Sequence, residues 1–110
     1  MSQGPVRITA PFLDVLEVFI AAGGAELHGW AIIKASHRGG PTVYKILERL
    51  DGMGWVSARW DDEPADPNKP RRRYYKLTGE GVTQAQLLLA RHRPQRVPGS
   101  LRPALGGGPL

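Results

Sequence analysis

A chain of 110 residues is long enough for one domain and short for two. It has no cysteine, which excludes disulfides, thiolate catalysis and cysteine-bound zinc, and fits a reducing compartment. A formal net charge of +5 and a sequence pI near 10.1 suit a polyanionic partner.

The opening apolar run is interrupted by Asp14 and Glu17 and has no cationic lead. It is neither a signal peptide nor long enough to span a bilayer, so a soluble, cytoplasmic protein without membrane contact is expected. The same run is a helix. Thr9 can cap it, Pro11 suits its first turn, and Phe12, Val15, Leu16, Phe19 and Ile20 recur at helical spacing until Gly23-Gly24 stops it. The spacing predicts a second, short helix from about His28 to His37, with Trp30, Ile33 and Ile32 on its buried side. "HRGGPT" then breaks the chain, and Pro41 stands where a first-turn proline belongs.

A third helix over about 41–53 carries the clearest amphipathic face. Val43, Ile46, Leu47 and Leu50 follow the i, i+3, i+4, i+7 rule, Thr42, Lys45 and Arg49 turn outward, and Tyr44 lies at the border. "WVSARW" reads as a strand with Val56, Ala58 and Trp60 on one face. "RRRYYKL" reads as its partner, with Tyr75 and Leu77 on one face and Arg72, Tyr74 and Lys76 on the other. The connection holds Asp61, Asp62, Glu63 and Asp66, then Lys69, Arg71, Arg72 and Arg73, and is too long for a tight turn. Thr78 can cap a fourth helix over about 79–93, striped by Val82, Ala85, Leu88 and Leu89 and weakened in its first turn by Gly79 and Gly81. Residues 94–110, rich in proline and glycine with no apolar period, read as a disordered tail.

The fold class is therefore mainly α with a small β-hairpin, in the order helix, helix, helix, hairpin, helix. That order is a winged helix-turn-helix: the third helix suits a DNA major groove and the ribbon can reach neighbouring phosphates or the minor groove. The expected division is a DNA-binding domain over 6–77, a C-terminal helix over 78–93 and the tail.

"LHGWAIIKAS", "GGPTVYKILERLDGMGWVSARWDDE" and "PRRRYYKLTGEG" resemble, in order, stretches of the PadR family of bacterial transcriptional regulators, over roughly residues 8–82. The resemblance implies a DNA-binding repressor that dimerises through its C-terminal and first helices, in some members answering to a small-molecule effector. By position it places recognition on Thr42, Val43, Tyr44 and Lys45 and the wing on Lys69 to Arg73. The loop "HRGGP" is shorter than in many members, and a single C-terminal helix matches the small subfamily.

Taken together, the expected partner is double-stranded DNA, bound as a homodimer on a palindromic site. Thr42 and Lys45 would face base edges. Arg38, Arg49, Lys69, Arg71 and Arg73 would face phosphates and the minor groove, with Tyr44 and Arg72 beside them. The plain alternative makes Thr42, Lys45 and Arg49 a solvated helix face and pairs the arginines with the wing's own acids across the hairpin. A winged-helix module that binds protein rather than DNA is the rival reading, and a single-strand binder ranks below it for want of a stacking platform. Trp55 and Trp60 are expected to pack in the hairpin and core. His28 would begin the second helix, and no histidine spacing suits a metal. Neither "GEG" nor "GGG" follows a strand as nucleotide loops do, and no catalytic arrangement is legible, so no enzyme and no cofactor are expected.

Overall fold

A computed structural model describes residues 7–61, 68 and 72–94. The first helix, α1, spans Ala10–Ala21. Thr9 Oγ1 accepts from the Phe12 amide at 3.2 Å, satisfying one of the unpaired donors at the helix start. The helix buries Phe12, Val15, Leu16 and Phe19 as its spacing requires and adds Leu13, while Ile20 is half-buried. It packs against α2 (Gly29–Ser36), α3 (Gly40–Gly52) and α4 (Gly79–His92), so it is the axis of the core.

Helix α2 begins at His28, whose Nδ1 accepts from the Ala31 amide at 3.3 Å. Its inward side is Ile32 and Ser36, with Ile33 half-buried. Trp30, expected inside, is 61% exposed. Two residues along a helix is a rotation of about 200°, so once Ile32 points into the core Trp30 must point away from it. His37 then takes a left-handed conformation (φ 61°) and its amide donates to the Ile33 carbonyl. Ser36 Oγ accepts from the Arg38 amide at 3.3 Å, which tightens the turn into α3. Helix α3 buries Val43, Ile46, Leu47 and Leu50.

The sheet has three antiparallel strands in the order β1-β3-β2, where β1 is Leu27–His28, β2 Val56–Trp60 and β3 Arg73–Leu77. The hairpin was legible in the sequence; β1 was not, because two residues carry no period. It pairs Leu27 with Tyr75 and His28 with Tyr74, which makes β3 the central strand. Register between β2 and β3 runs Val56↔Leu77, Ala58↔Tyr75 and Trp60↔Arg73, placing all six on one face. Val56, Tyr75 and Leu77 are buried on it. Trp60 has the right parity but lies past the end of the core and is 51% exposed, against the expectation that it packs inside.

Thr78 joins the hairpin to α4 in two ways. Its Oγ1 accepts from the Gly81 amide at 3.0 Å and donates to the Gly54 carbonyl at 2.7 Å. Gly81, a weak helix former on sequence, has a packing reason: a Cβ there would strike the Trp55 backbone carbonyl. Helix α4 buries Ala85 and Leu89 against α1. At its end Arg93 turns back onto α1. Its Nη1 donates to Asp14 Oδ1 at 2.7 Å and lies 3.4 Å from Glu17 Oε2. Arg38 Nε donates to the other Asp14 oxygen, also at 2.7 Å. One carboxylate thus holds the helix-turn-helix turn and the end of α4 together. Burial alone would push the Asp14 carboxyl up, but the hydrogen bonds and charges of Arg93 and Arg38 outweigh it and hold the group below its ordinary value. Among the described residues no helix is long and apolar enough to cross a membrane.

Two expected outcomes follow from these contacts. Gly81→Ala must displace backbone rather than a side-chain tip, so urea unfolding should show a loss of about 1–3 kcal/mol. Asp14→Asn should cost about 1–3 kcal/mol at neutral pH, because two guanidiniums lose a charged acceptor. A carboxyl depressed in the folded state contributes stability above its unfolded pKa and loses it as pH falls through the folded value. The gap between wild type and Asp14→Asn in urea melts should therefore narrow as pH falls from neutrality through the acid range. A gap unchanged over that range would refute the role assigned to Asp14.

Candidate nucleic-acid interface

The short turn at His37 to Gly39 sets α3 across α2 and leaves one side of α3 uncovered. Pro41, Thr42 and Lys45 are exposed there, and among the described residues neither Thr42 nor Lys45 takes a side-chain hydrogen bond or ion pair. Both are therefore available to an outside partner.

The two arginines flanking this surface are engaged within the fold. Arg38 carries the Asp14 ion pair, with its side chain 37% exposed. Arg49 lies over the Phe12 ring, 4.9 Å from its centroid, and its Nη2 donates to the Arg7 carbonyl at 3.0 Å. Arg49 is thus drawn toward α1.

Tyr44 occupies the opposite border of α3 and is 47% exposed. Its hydroxyl and ring edge sit against Gly29 so closely that a Cβ at that position would push the Tyr44 side chain aside. This contact places Tyr44 between the start of α2 and the sheet. Arg73 leaves β3 on the same face as Trp60 and Tyr75, with its Cζ 4.9 Å and 5.9 Å from their ring centroids. Burial pushes the Tyr75 phenol above its ordinary value, partly offset by the Arg73 charge. Arg72 is exposed at the foot of the wing, where its carbonyl accepts from the Asp61 amide at 2.7 Å. Tyr44 and Arg73 line the same two hollows, so the outward side of α3 and the arginine-bearing strand adjoin through Tyr44. Of the wing residues, Lys69 and Arg71 lie outside the described residues, as do Asp62, Glu63 and the tail from residue 95.

The other face of the sheet carries contacts the sequence did not signal. Arg59 forks onto Glu26, with Nε and Nη2 each 2.7 Å from a carboxylate oxygen, and lies over the Tyr74 ring at 5.0 Å. The Arg59 hydrogen bonds hold Glu26 below the usual carboxylate range. Glu26 directly precedes β1, so this pair ties the unexpected strand to β2. Pairing across 33 positions leaves no local pattern from which it could be read.

Two positions were misjudged on sequence. Trp30 and Trp60, expected to pack inside, are exposed and flank the Tyr44–Arg73 junction. Among the described residues no group of three or more His, Asp or Glu is placed to hold a metal ion.

Residues 16–87 match the transcriptional regulator PadR-like family. A search of curated proteins finds no match. Solved structures share the fold. MepR, a transcription regulator of a Staphylococcus aureus multidrug efflux pump, aligns over 80% of this chain and 60% of its own at 24% identity, with a TM-score of 0.61. Bacillus subtilis PadR, solved in complex with operator DNA, aligns over 78% of this chain and 50% of its own at 20% identity, TM-score 0.62. A PadR family regulator from Eggerthella lenta aligns over 74% and 72% at 24% identity, TM-score 0.58. This chain thus spans only about three fifths of the MepR length and half of Bacillus PadR.

Proposed function

This chain belongs to the PadR-like family of transcriptional regulators, which are not enzymes, and from that premise we propose that it is a repressor binding a palindromic DNA duplex as a homodimer. The supporting observation is the junction just described: unpartnered Thr42 and Lys45 on α3 adjoin the Arg72–Arg73 arm through Tyr44. On this reading residues 6–77 bind DNA. Residues 78–93 supply the dimer contact, and two α3 helices enter major grooves about 34–36 Å apart.

Lys45 and Thr42 read base edges. Tyr44, Arg72 and Arg73 serve phosphates and the minor groove, joined by Lys69 and Arg71 at the wing. Arg38 and Arg49 reach phosphate only by exchanging the Asp14 carboxylate and the Arg7 carbonyl for it. The Arg49 bond is exposed, so its exchange costs little, at about 0–1 kcal/mol, whereas the Arg38 pair on half-buried Asp14 also fixes the turn into α3 and is the costlier to exchange. The operator-bound Bacillus PadR shows that a protein of this fold engages a duplex, which supports the same use here.

With about 6–10 phosphate contacts per dimer, affinity for a selected duplex should fall ~10³–10⁵-fold between 50 and 200 mM salt. A flat salt profile, or no retention of duplex in gel shifts at any salt, would sink the DNA reading. Lys45→Ala should cost about 1–3 kcal/mol and relax preference at one base position in a random-pool selection. Equal loss on every sequence would move Lys45 to the phosphates. For the dimer, Leu87 is the informative side chain: it stands 60% exposed on α4 while Ala85 and Leu89 face α1. Leu87→Glu should convert a dimer mass to a monomer mass in light scattering; an unchanged mass removes α4 from the interface.

A further inference from the structure

Asp14 stands on α1 within a cluster of four charges drawn from three parts of the chain. Its Oδ2 takes Arg38 Nε and its Oδ1 takes Arg93 Nη1, both at 2.7 Å. Glu17, about one helical turn further on, lies 3.4 Å from Arg93 through its Oε2. Two carboxylates thus meet two guanidiniums, and His37 borders the same hollow between α1 and the end of α2. The cluster is graded in exposure. The side chains of Arg93 and Asp14 are 15% and 19% exposed, whereas that of Arg38 is 37% exposed. Arg38 is therefore the guanidinium that an outside anion reaches first.

Arg38 is also the member tied most closely to α3. Its amide donates to Ser36 Oγ at 3.3 Å, Ser36 is buried at the end of α2, and α3 starts at Gly40, two residues on. Asp14 therefore acts on two things at once. It neutralises the guanidinium most accessible to phosphate, and it fixes the turn from which α3 departs. Phosphates line every duplex and carry no sequence, whereas base edges are read only by side chains held in one position. Both effects favour reading a sequence over merely adhering to a polyanion.

We propose that Asp14 is a specificity-determining positioning residue: without touching DNA, it withholds Arg38 from the phosphates of unselected sequence and holds α3 where Thr42 and Lys45 can reach base edges. The proposal rests on the DNA reading above. Arg93 sets the strength of the hold, because it shares the same carboxylate with Arg38. With Arg93 in place, the two acids and two guanidiniums of the cluster balance. Removing the Arg93 charge leaves Asp14 and Glu17 facing Arg38 alone, which retains Arg38 more tightly. Removing the Asp14 charge leaves two guanidiniums against Glu17 and releases Arg38 outward. Both Asp14 contacts are charge-assisted and at the short distances where such bonds are strongest, so either loss is felt at the other arginine.

The test uses the full chain, a duplex of random sequence and the duplex selected from a random pool, each titrated across a range of salt. Asp14→Asn should bind the random duplex about three- to tenfold more tightly and steepen its salt slope by about 1–2, as one further phosphate contact per protomer requires. The ratio of selected to random affinity should fall about tenfold. Arg93→Gln should act the other way and weaken random-duplex binding about threefold. Both substitutions remove a stabilising contact, so a purely structural role would move them in the same direction. Repeating both in an Arg38→Gln background separates the proposal from a mere change of net charge, which acts whether or not Arg38 is present. Most of each shift should disappear there. Thermal melts establish that each variant is folded, and Arg93→Gln gives a reading that leaves Asp14 in place. Shifts of like sign, shifts undiminished in the Arg38→Gln background, or an unchanged ratio in folded Asp14→Asn overturn the proposal. A wild-type chain that binds neither duplex at any salt overturns the DNA reading, and the proposal with it.

Discussion

Everything in this fold is arranged around the burial of α1. Phe12, Val15 and Leu16 have no exposed surface, and removing side chains of that size from water contributes about 1.5–3 kcal/mol apiece. Three helices share that apolar surface, so α1 fixes their mutual angles. The same helix carries Asp14 at the margin of the core, where two guanidiniums from distant parts of the chain meet one carboxylate. Apolar contact is non-directional and tolerates sliding; a two-sided charged hydrogen bond does not. The core brings the elements together, and Asp14 sets the position of the helix-turn-helix turn relative to the end of α4.

That arrangement has a consequence for the outward surface. Because Arg38 and Arg49 are occupied on the α1 side, the cations beside the outward side of α3 among the described residues are Lys45, Arg72 and Arg73. The uncovered surface is therefore asymmetric, anchored by α1 on one flank and by aromatic rings on the other. Tyr44 stands at the seam. It belongs to α3 by sequence, touches α2 at Gly29, and shares hollows with Arg73 of β3. A side chain with an apolar ring and a polar tip suits such a boundary, where one end is packed and the other wet.

The exposed aromatic rings and the cationic surface are two aspects of the same geometry. The β2–β3 ladder continues past the point where the core ends, so its inward face emerges into solvent carrying Trp60 and Arg73. Side chains that would be core residues two positions earlier become walls of a cleft. Trp30 is released by the opposite means, a short helix with only one narrow inward stripe. The surfaces proposed for binding thus lie where regular elements outrun the core they were built on.

Local periodicity determined a good deal. The four helices, the caps at Thr9, His28 and Thr78, the hairpin and the inward sets of α1, α3 and β3 all follow from residue spacing, because helix and strand repeats act over a few residues and are written in consecutive positions. The family and the winged arrangement were legible for the same reason: their marks are contiguous stretches in a fixed order. What only the tertiary structure decided were the relations between distant positions. Asp14 chose Arg38 and Arg93 from among many cations, Glu26 chose Arg59, Gly81 proved to be a contact with Trp55, and a two-residue strand completed the sheet. Trp30 and Trp60 were misplaced because parity names a face but not where the core stops. The extent of a core is set by how long elements cross one another, and no stretch of sequence contains that crossing.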